Sequence, residues 1–231
     1  MRIHHLITTA ALIVIFFMSR SIGSSQTNLE PRVAGPIFLL SSDDYETRFK
    51  AGDALCKLGT NALPAIPAIM RLLETNPDKF HDVMLRVLEN CPKEAQSFKP
   101  TLEKCLQNPN PQIRVSCART LWVLDHSYAN QARLVARNSL NESDAGIRVE
   151  GASLLWRLDH DAKAVVPTLI ALLSDPDKAY DYRTIKFLGS IGPQAKEAIP
   201  AIQDWLKSGR RHESFATNAA IAALQKIESK P

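Results

Sequence analysis

The sequence lacks a Cys-x-x-Cys pair, a run of alternating polarity that would read as a β-strand, and an apolar run of membrane-spanning length. Each absence closes a class of protein. Without a Cys-x-x-Cys pair the four cysteines, Cys56, Cys91, Cys105 and Cys117, suggest neither a zinc site nor a dithiol redox motif. Without strand patterns the chain reads as all-α. A strong charge bias is missing too. Lys plus Arg total 28 against 24 for Asp plus Glu, a formal charge of +4, and two of the bases, Arg2 and Arg20, lie in an N-terminal segment without acids. What remains is too close to neutral to argue for a nucleic-acid partner. No serine or cysteine has a histidine and an acid at a spacing that predicts a triad, so no catalytic residue, metal or cofactor is assigned. With 45% hydrophobic and 23% charged residues, the chain still has the means to bury a core.

The N-terminus has the order of an export signal. Arg2, His4 and His5 precede the apolar run Leu6 to Met18, and the small residues Ser21, Gly23, Ser24 and Ser25 follow it. The run falls short of the roughly 20 residues a spanning helix needs. Residues 1–25 are therefore expected to be a cleaved signal peptide, or else a short N-terminal anchor, and the folded part to be secreted or periplasmic. Membrane association is expected only if the segment is retained. A Ser/Gln/Asn-rich linker over 26–32 should follow, and then a repeat domain over 33–231.

The repeat shows best from Arg148 to Pro176. Val149, Ala152, Leu155 and Leu158 recur at three-residue spacing, then Val165, Leu169, Leu172 and Leu173 at three and four, so each half is an amphipathic helix with one apolar stripe. Two such helices cannot bury both stripes against each other, and the unit needs copies to stack on. Arg48, Leu55, Leu58, Ala62, Pro67 and Leu72 match this unit at an offset of 100 residues, and Arg114, Ala118, Leu121, Trp122, Asp125 and His126 match it at 34. Units from Asp78 and Asp177 complete the series, Pro36 to Ser41 resembles a lone second helix, and Glu213 to Ser229 supplies a last one. Asp43, Asn110, Asp144 and Asp175 or Asp177 stand where first helices should be capped, and Pro67, Pro100, Pro167 and Pro200 should lie in the first turns of second helices.

A period of 31–34 residues, the Asp175-Pro176-Asp177 turn, the early arginines Arg48, Arg114 and Arg148, the Ala-x-x-Leu-x-x-Leu stripe and the second-helix proline together resemble the HEAT repeat family, particularly the short HEAT-like repeats of phycobilisome lyases. The resemblance implies a right-handed α-solenoid of stacked antiparallel helix pairs, about five full repeats plus terminal half-repeats. It also implies a ladder of hydrogen bonds between turn aspartates, here Asp144 and Asp175, and the arginines. Two joints depart from the pattern: Asn108 and Asn110 replace the aspartates before Arg114, and Asp181 stands at the arginine's place in the fifth unit. The tetratricopeptide array has a similar period, but its Trp, Gly and Tyr pattern is absent.

Functionally, stacked repeats point to a non-catalytic protein-binding scaffold, with an enzyme or enzyme subunit of the lyase type as the alternative that the resemblance carries. A concave surface lined by second helices would bind a protein partner through exposed positions such as Arg71, Lys104, Arg137 and Lys207. Trp205, lying among charges, and the basic cluster Lys207, Arg210, Arg211 are further partner-binding candidates. Trp122 and Trp156 share one repeat position and should fill the seam between units. The repeated Leu-Asp-His at Asp125-His126 and Asp159-His160 invites a metal reading, but equivalent positions in stacked repeats sit on the order of 10 Å apart, too far to share one ion. Each His is expected to end a helix instead. Cys91 and Cys117 fall at packing positions, so the cysteines read as free thiols.

Overall fold

In the computed structural model, residues 30–76, 82–175, 178–208 and 214–229 are described, and every regular element among them is helical. The chain opens with α1 (Pro31–Leu39). Five pairs follow: α2 (Tyr45–Lys57) with α3 (Ile66–Thr75), α4 (Asp82–Asn90) with α5 (Lys99–Cys105), α6 (Pro111–Leu124) with α7 (Ala129–Ser139), α8 (Ala145–Asp159) with α9 (Ala162–Leu173), and α10 (Asp181–Ile191) with α11 (Ile199–Lys207). The last helix is α12 (Ser214–Glu228). The architecture is an all-α solenoid of stacked pairs with a half-unit at each end. The expected signal peptide 1–25 and most of the expected linker lie outside the described residues, and α1 begins at Pro31. No helix among the described residues is long and apolar enough to cross a membrane.

Local chemistry sets the helix ends. Asp44, rather than the expected Asp43, caps α2 by accepting the Thr47 N–H at 2.7 Å, and Asp144 caps α8 by accepting the Ile147 N–H at 3.0 Å. Asn110 caps α6, accepting the Gln112 N–H at 2.9 Å, and Pro111 takes the first position, where its missing N–H removes no helical bond. Pro67, Pro100 and Pro200 lie in first turns as expected, each after a 3-10 segment. Pro167 does not; it stands inside α9. In that unit His160 adopts left-handed backbone (φ 50°) straight after α8, Asp161 caps the next helix, and α9 therefore starts a full turn earlier relative to its proline.

The first helices pack on their predecessors, α4 on α2, α6 on α4 and α8 on α6, while α12 covers α10. At two of the close contacts a glycine lets a neighbouring helix reach the backbone. A Cβ on Gly189 would lie 2.9 Å from Ala223 Cα, and one on Gly151 would lie 2.6 Å from Ser139 Cβ, so α12 and α7 approach the backbones of α10 and α8 directly. The buried apolar residues form two clusters, one from Val33 to Leu124 and one from Val115 to Ile227. They meet on α6, which gives Ile113, Cys117 and Leu121 to the first and Val115 and Ala118 to the second. A helix serving both clusters is buried on most of its circumference, and even Arg119 and Thr120 of α6 are buried. All four cysteines are free; Cys91, Cys105 and Cys117 are buried and Cys56 is half-buried.

Candidate functional site on the two faces of the helix stack

Charged side chains tie neighbouring units together at both ends of the first helices. At the N-terminal ends Arg48, Arg114 and Arg148 each donate from Nη1 to two carbonyls of the preceding turn: Ser42 and Asp43, Asn108 and Pro109, Glu142 and Ser143. Arg114 then reaches the next unit's Glu142 at 2.9 Å, and Arg148 reaches Asp175. This is the expected ladder with one substitution of partner. Asp144 takes no part, because its carboxylate caps α8, and Glu142 replaces it as the acceptor. Nor does the joint before Arg114 need an aspartate, since Asn108 and Pro109 supply carbonyls.

The Leu-Asp-His repeats form a second ladder. Lys99 donates to Asp125 at 2.9 Å, and Arg133, which stands where other units have proline, clasps Asp159 with Nε and Nη2 at distances of 2.7–3.0 Å. The Lys99 ammonium and the Ser127 groups hold the Asp125 carboxyl well below the usual carboxylate range, and the Arg133 guanidinium lowers that of Asp159. The histidines end helices as expected. His126 Nδ1 lies 3.0 Å from the Trp122 carbonyl, and His160 is the left-handed residue after α8. Each packs on the tryptophan of its own helix, Trp122–His126 with ring centroids 5.5 Å apart and Trp156–His160 at 5.2 Å. Both tryptophans are half-buried against the C-terminal cluster, which is the seam position expected of them.

The residues expected to bind a partner divide three ways. Arg71, Lys104, Arg137 and Lys207 are exposed on α3, α5, α7 and α11. Arg210 and Arg211 lie outside the described residues. Trp205 is a correction: it is 4% exposed, and its indole N–H donates to Asp181 at 2.6 Å. It lies three residues after Ile202 on the inward stripe of α11, and its N–H serves the buried Asp181, the residue that replaces an arginine in the fifth unit. Asp204 and Lys207, beside it in the sequence, are exposed. Two grooves open beside the second helices. One, of about 230 Å³, lies between α1 and α3 and includes Arg71; the other, of about 500 Å³, is lined by Leu106, Gln107, Asn108, Gln131, Leu134 and Asn138. Leu134 on that rim is 62% exposed.

A third groove, of about 280 Å³, lies on the first-helix layer, and no sequence feature was assigned to it. Arg86 and Glu89 of α4, Arg119 of α6, Glu150, Ser153 and Arg157 of α8 and Arg183 of α10 line it. Glu89 accepts from Arg119 Nε at 2.9 Å, and Glu150 lies 3.6 Å from Arg119 Nη1 and accepts from Arg183 at 2.5 Å. Burial by itself would lower the Arg119 pKa, but the two carboxylates outweigh it and hold the guanidinium above its ordinary value. The sequence signal was present but weak: Glu89, Arg119, Glu150 and Arg183 fall 30 to 33 residues apart, near the repeat period.

No family model and no curated protein matches this sequence. Among solved structures the chain is similar to one in the complex of CpcE and CpcF of phycocyanin lyase from Nostoc, with 16% identity, covering 89% of this chain and 98% of that one at a TM-score of 0.40. The chain itself is an α-solenoid whose units are held in register by two charged ladders.

Proposed function

We propose that this protein is a non-catalytic scaffold that binds a protein partner along its second-helix layer. The observation that carries the reading is a pair of grooves beside the second helices, one between α1 and α3 and one between α7 and the turn that follows α5, on a framework whose units are tied at both ends. A repeating groove suits an extended ligand that crosses several units, and the exposed Leu134 supplies an apolar anchor with Lys104 and Arg137 as helical neighbours of the lining. Interface positions of this kind tolerate mutation in the free protein, so partner loss is separable from unfolding.

Chemical cross-linking of the full chain in its native source, followed by mass spectrometry, should recover one recurring partner. Leu134→Arg should abolish that recovery while the circular dichroism spectrum stays helical. A chromophore or cofactor absorbance band on the purified protein, or recovery indifferent to Leu134→Arg, would favour the enzyme-subunit reading instead. The protein acts outside the cytoplasm under the same proposal, supported by the charged, apolar and small-residue order of Met1 to Ser25. N-terminal sequencing of the native protein should begin after Gly23 or Ser25. An intact Met1 on cytosolic protein would refute export, and retention in the membrane fraction would mean the segment is an anchor.

A further inference from the structure

The first-helix groove has an uneven charge balance. Glu89 is engaged by Arg119, Glu150 by Arg183, and Asp82, just beside the lining, by Arg86 at 3.4 Å. Among the described residues Arg157 has no carboxylate within ion-pair distance. It is exposed, and its guanidinium lies 5.3 Å from the Trp122 ring centroid. Arg119 is the second anomaly. It is 7% exposed, lines the groove, and leaves Nη2 without a hydrogen-bond partner among the described residues. A buried guanidinium edge without a partner is unfavourable, and a planar oxyanion is the group that satisfies such an edge best. Ser153, also on the lining, adds a hydroxyl.

We infer that the groove lined by Arg119, Ser153 and Arg157 is a carboxylate-binding site. The ligand is a carboxylate rather than a phosphate because, with Asp82 on Arg86 counted beside the four arginines and two glutamates of the lining, one positive charge is in surplus and Glu89 and Glu150 flank it, so an oxyanion carrying about two charges would meet repulsion that a singly charged one avoids. Arg157 meets the ligand from its exposed position, and Arg119 on the same lining adds the second positive charge that holds it. The carboxylate comes either from a free organic acid or from an acidic side chain on a polypeptide. The site is on the opposite layer from the second-helix grooves, and its failure would leave the scaffold reading untouched.

The test is titration of the full chain with acetate, with a glutamate-rich peptide and its glutamine counterpart, and with inorganic phosphate, followed by tryptophan fluorescence, since Arg157 lies over Trp122. A carboxylate probe should give a saturable change that weakens with added salt. Arg157→Gln should lower the affinity about tenfold or more, the loss of one charge-assisted hydrogen bond, whereas Leu134→Arg should leave it unchanged. Response to both acetate and the glutamate peptide marks a free acid as sufficient, and response to the peptide alone marks an acidic segment as the ligand. Arg119→Gln should act like Arg157→Gln, but it also removes the ion-pair partner of Glu89, so the exposed Arg157 is the deciding position. Equal binding of the glutamine peptide, tighter binding of phosphate, no response to any carboxylate, or undiminished affinity in Arg157→Gln would overturn the inference.

Discussion

Leu155→Ala tests whether the stack is held by its apolar layers. Leu155 is 1% exposed in the middle of α8, within the cluster that also holds Val149, Ala152, Val165 and Leu169. Truncation removes the transfer energy of the lost carbons and leaves a cavity; measured Leu→Ala changes of this kind cost about 2–5 kcal/mol. Because α8 is packed between α7 and α9 with Gly151 already at close approach to Ser139, the site has little room to collapse, and about 3 kcal/mol is expected. Against a total of about 5–15 kcal/mol that is a large share. With a urea slope of about 2 kcal/mol per molar, the midpoint should fall by about 1.5 M. Lys50→Ala is the control: its side chain is 72% exposed and pairs with Glu46 at 3.3 Å, a contact whose loss should stay under about 0.5 kcal/mol. Stability in a repeat array is carried by units and their nearest neighbours, so hydrogen exchange should quicken in α7 to α10 before α1 to α3. A midpoint shift no larger than the control's, or exchange that quickens evenly along the chain, would refute the layered account.

Further outcomes follow from the ladders and the thiols. Arg148→Ala removes donors to Glu142, Ser143 and Asp175 at a side chain only 17% exposed, and should cost about 1–3 kcal/mol in a thermal melt; Arg148→Lys should recover little, because a single ammonium cannot serve both the turn carbonyls and the carboxylate. Asp125 and Asp159 are held below their ordinary pKa in the folded chain, so their contribution is present above the unfolded value near pH 4 and is lost as pH falls from there through the folded values. Acid unfolding should thus soften in Asp159→Asn, whose stability would be lower at neutral pH but flatter below pH 4; an unchanged acid limb would exclude the pair from the transition. Among the buried thiols, the Cys105–Cys117 contact lowers the Cys105 pKa and raises that of Cys117, where burial adds to the rise. Alkylation of the native chain followed by peptide mapping should therefore label Cys105 before Cys117, and the reverse order would contradict the contact.

Much of the molecule was legible in one dimension because its determinants are local. Apolar residues at three- and four-residue spacing, Asn110 and Asp144 as caps, Pro111 at a first position and the offsets that superpose Arg48, Arg114 and Arg148 all act within a helix or a turn, and they produced the pairs, their number and most of their ends. Equivalence between units also placed Trp122 and Trp156 in the seam and His126 and His160 at helix ends. Departures came where an outcome depended on a distant partner. Trp205 looked exposed among charges, yet the stripe with Ile202 turned it inward toward Asp181, 24 residues earlier. Asp144 was spent on its own helix, so the ladder took Glu142, a choice between two nearby acids that only the turn geometry made. The arginine groove draws residues from four first helices, and α6 and α8 are buried on so much of their surface that a single apolar stripe does not show which charged residue meets which. The sequence by itself determined the helices and their periodic order, because propensity, capping and spacing are short-range. Only the stacking of α4, α6, α8 and α10 brought Glu89, Arg119, Glu150, Arg157 and Arg183 into one groove, because the distances that make a charge cluster are set across helices rather than along the chain.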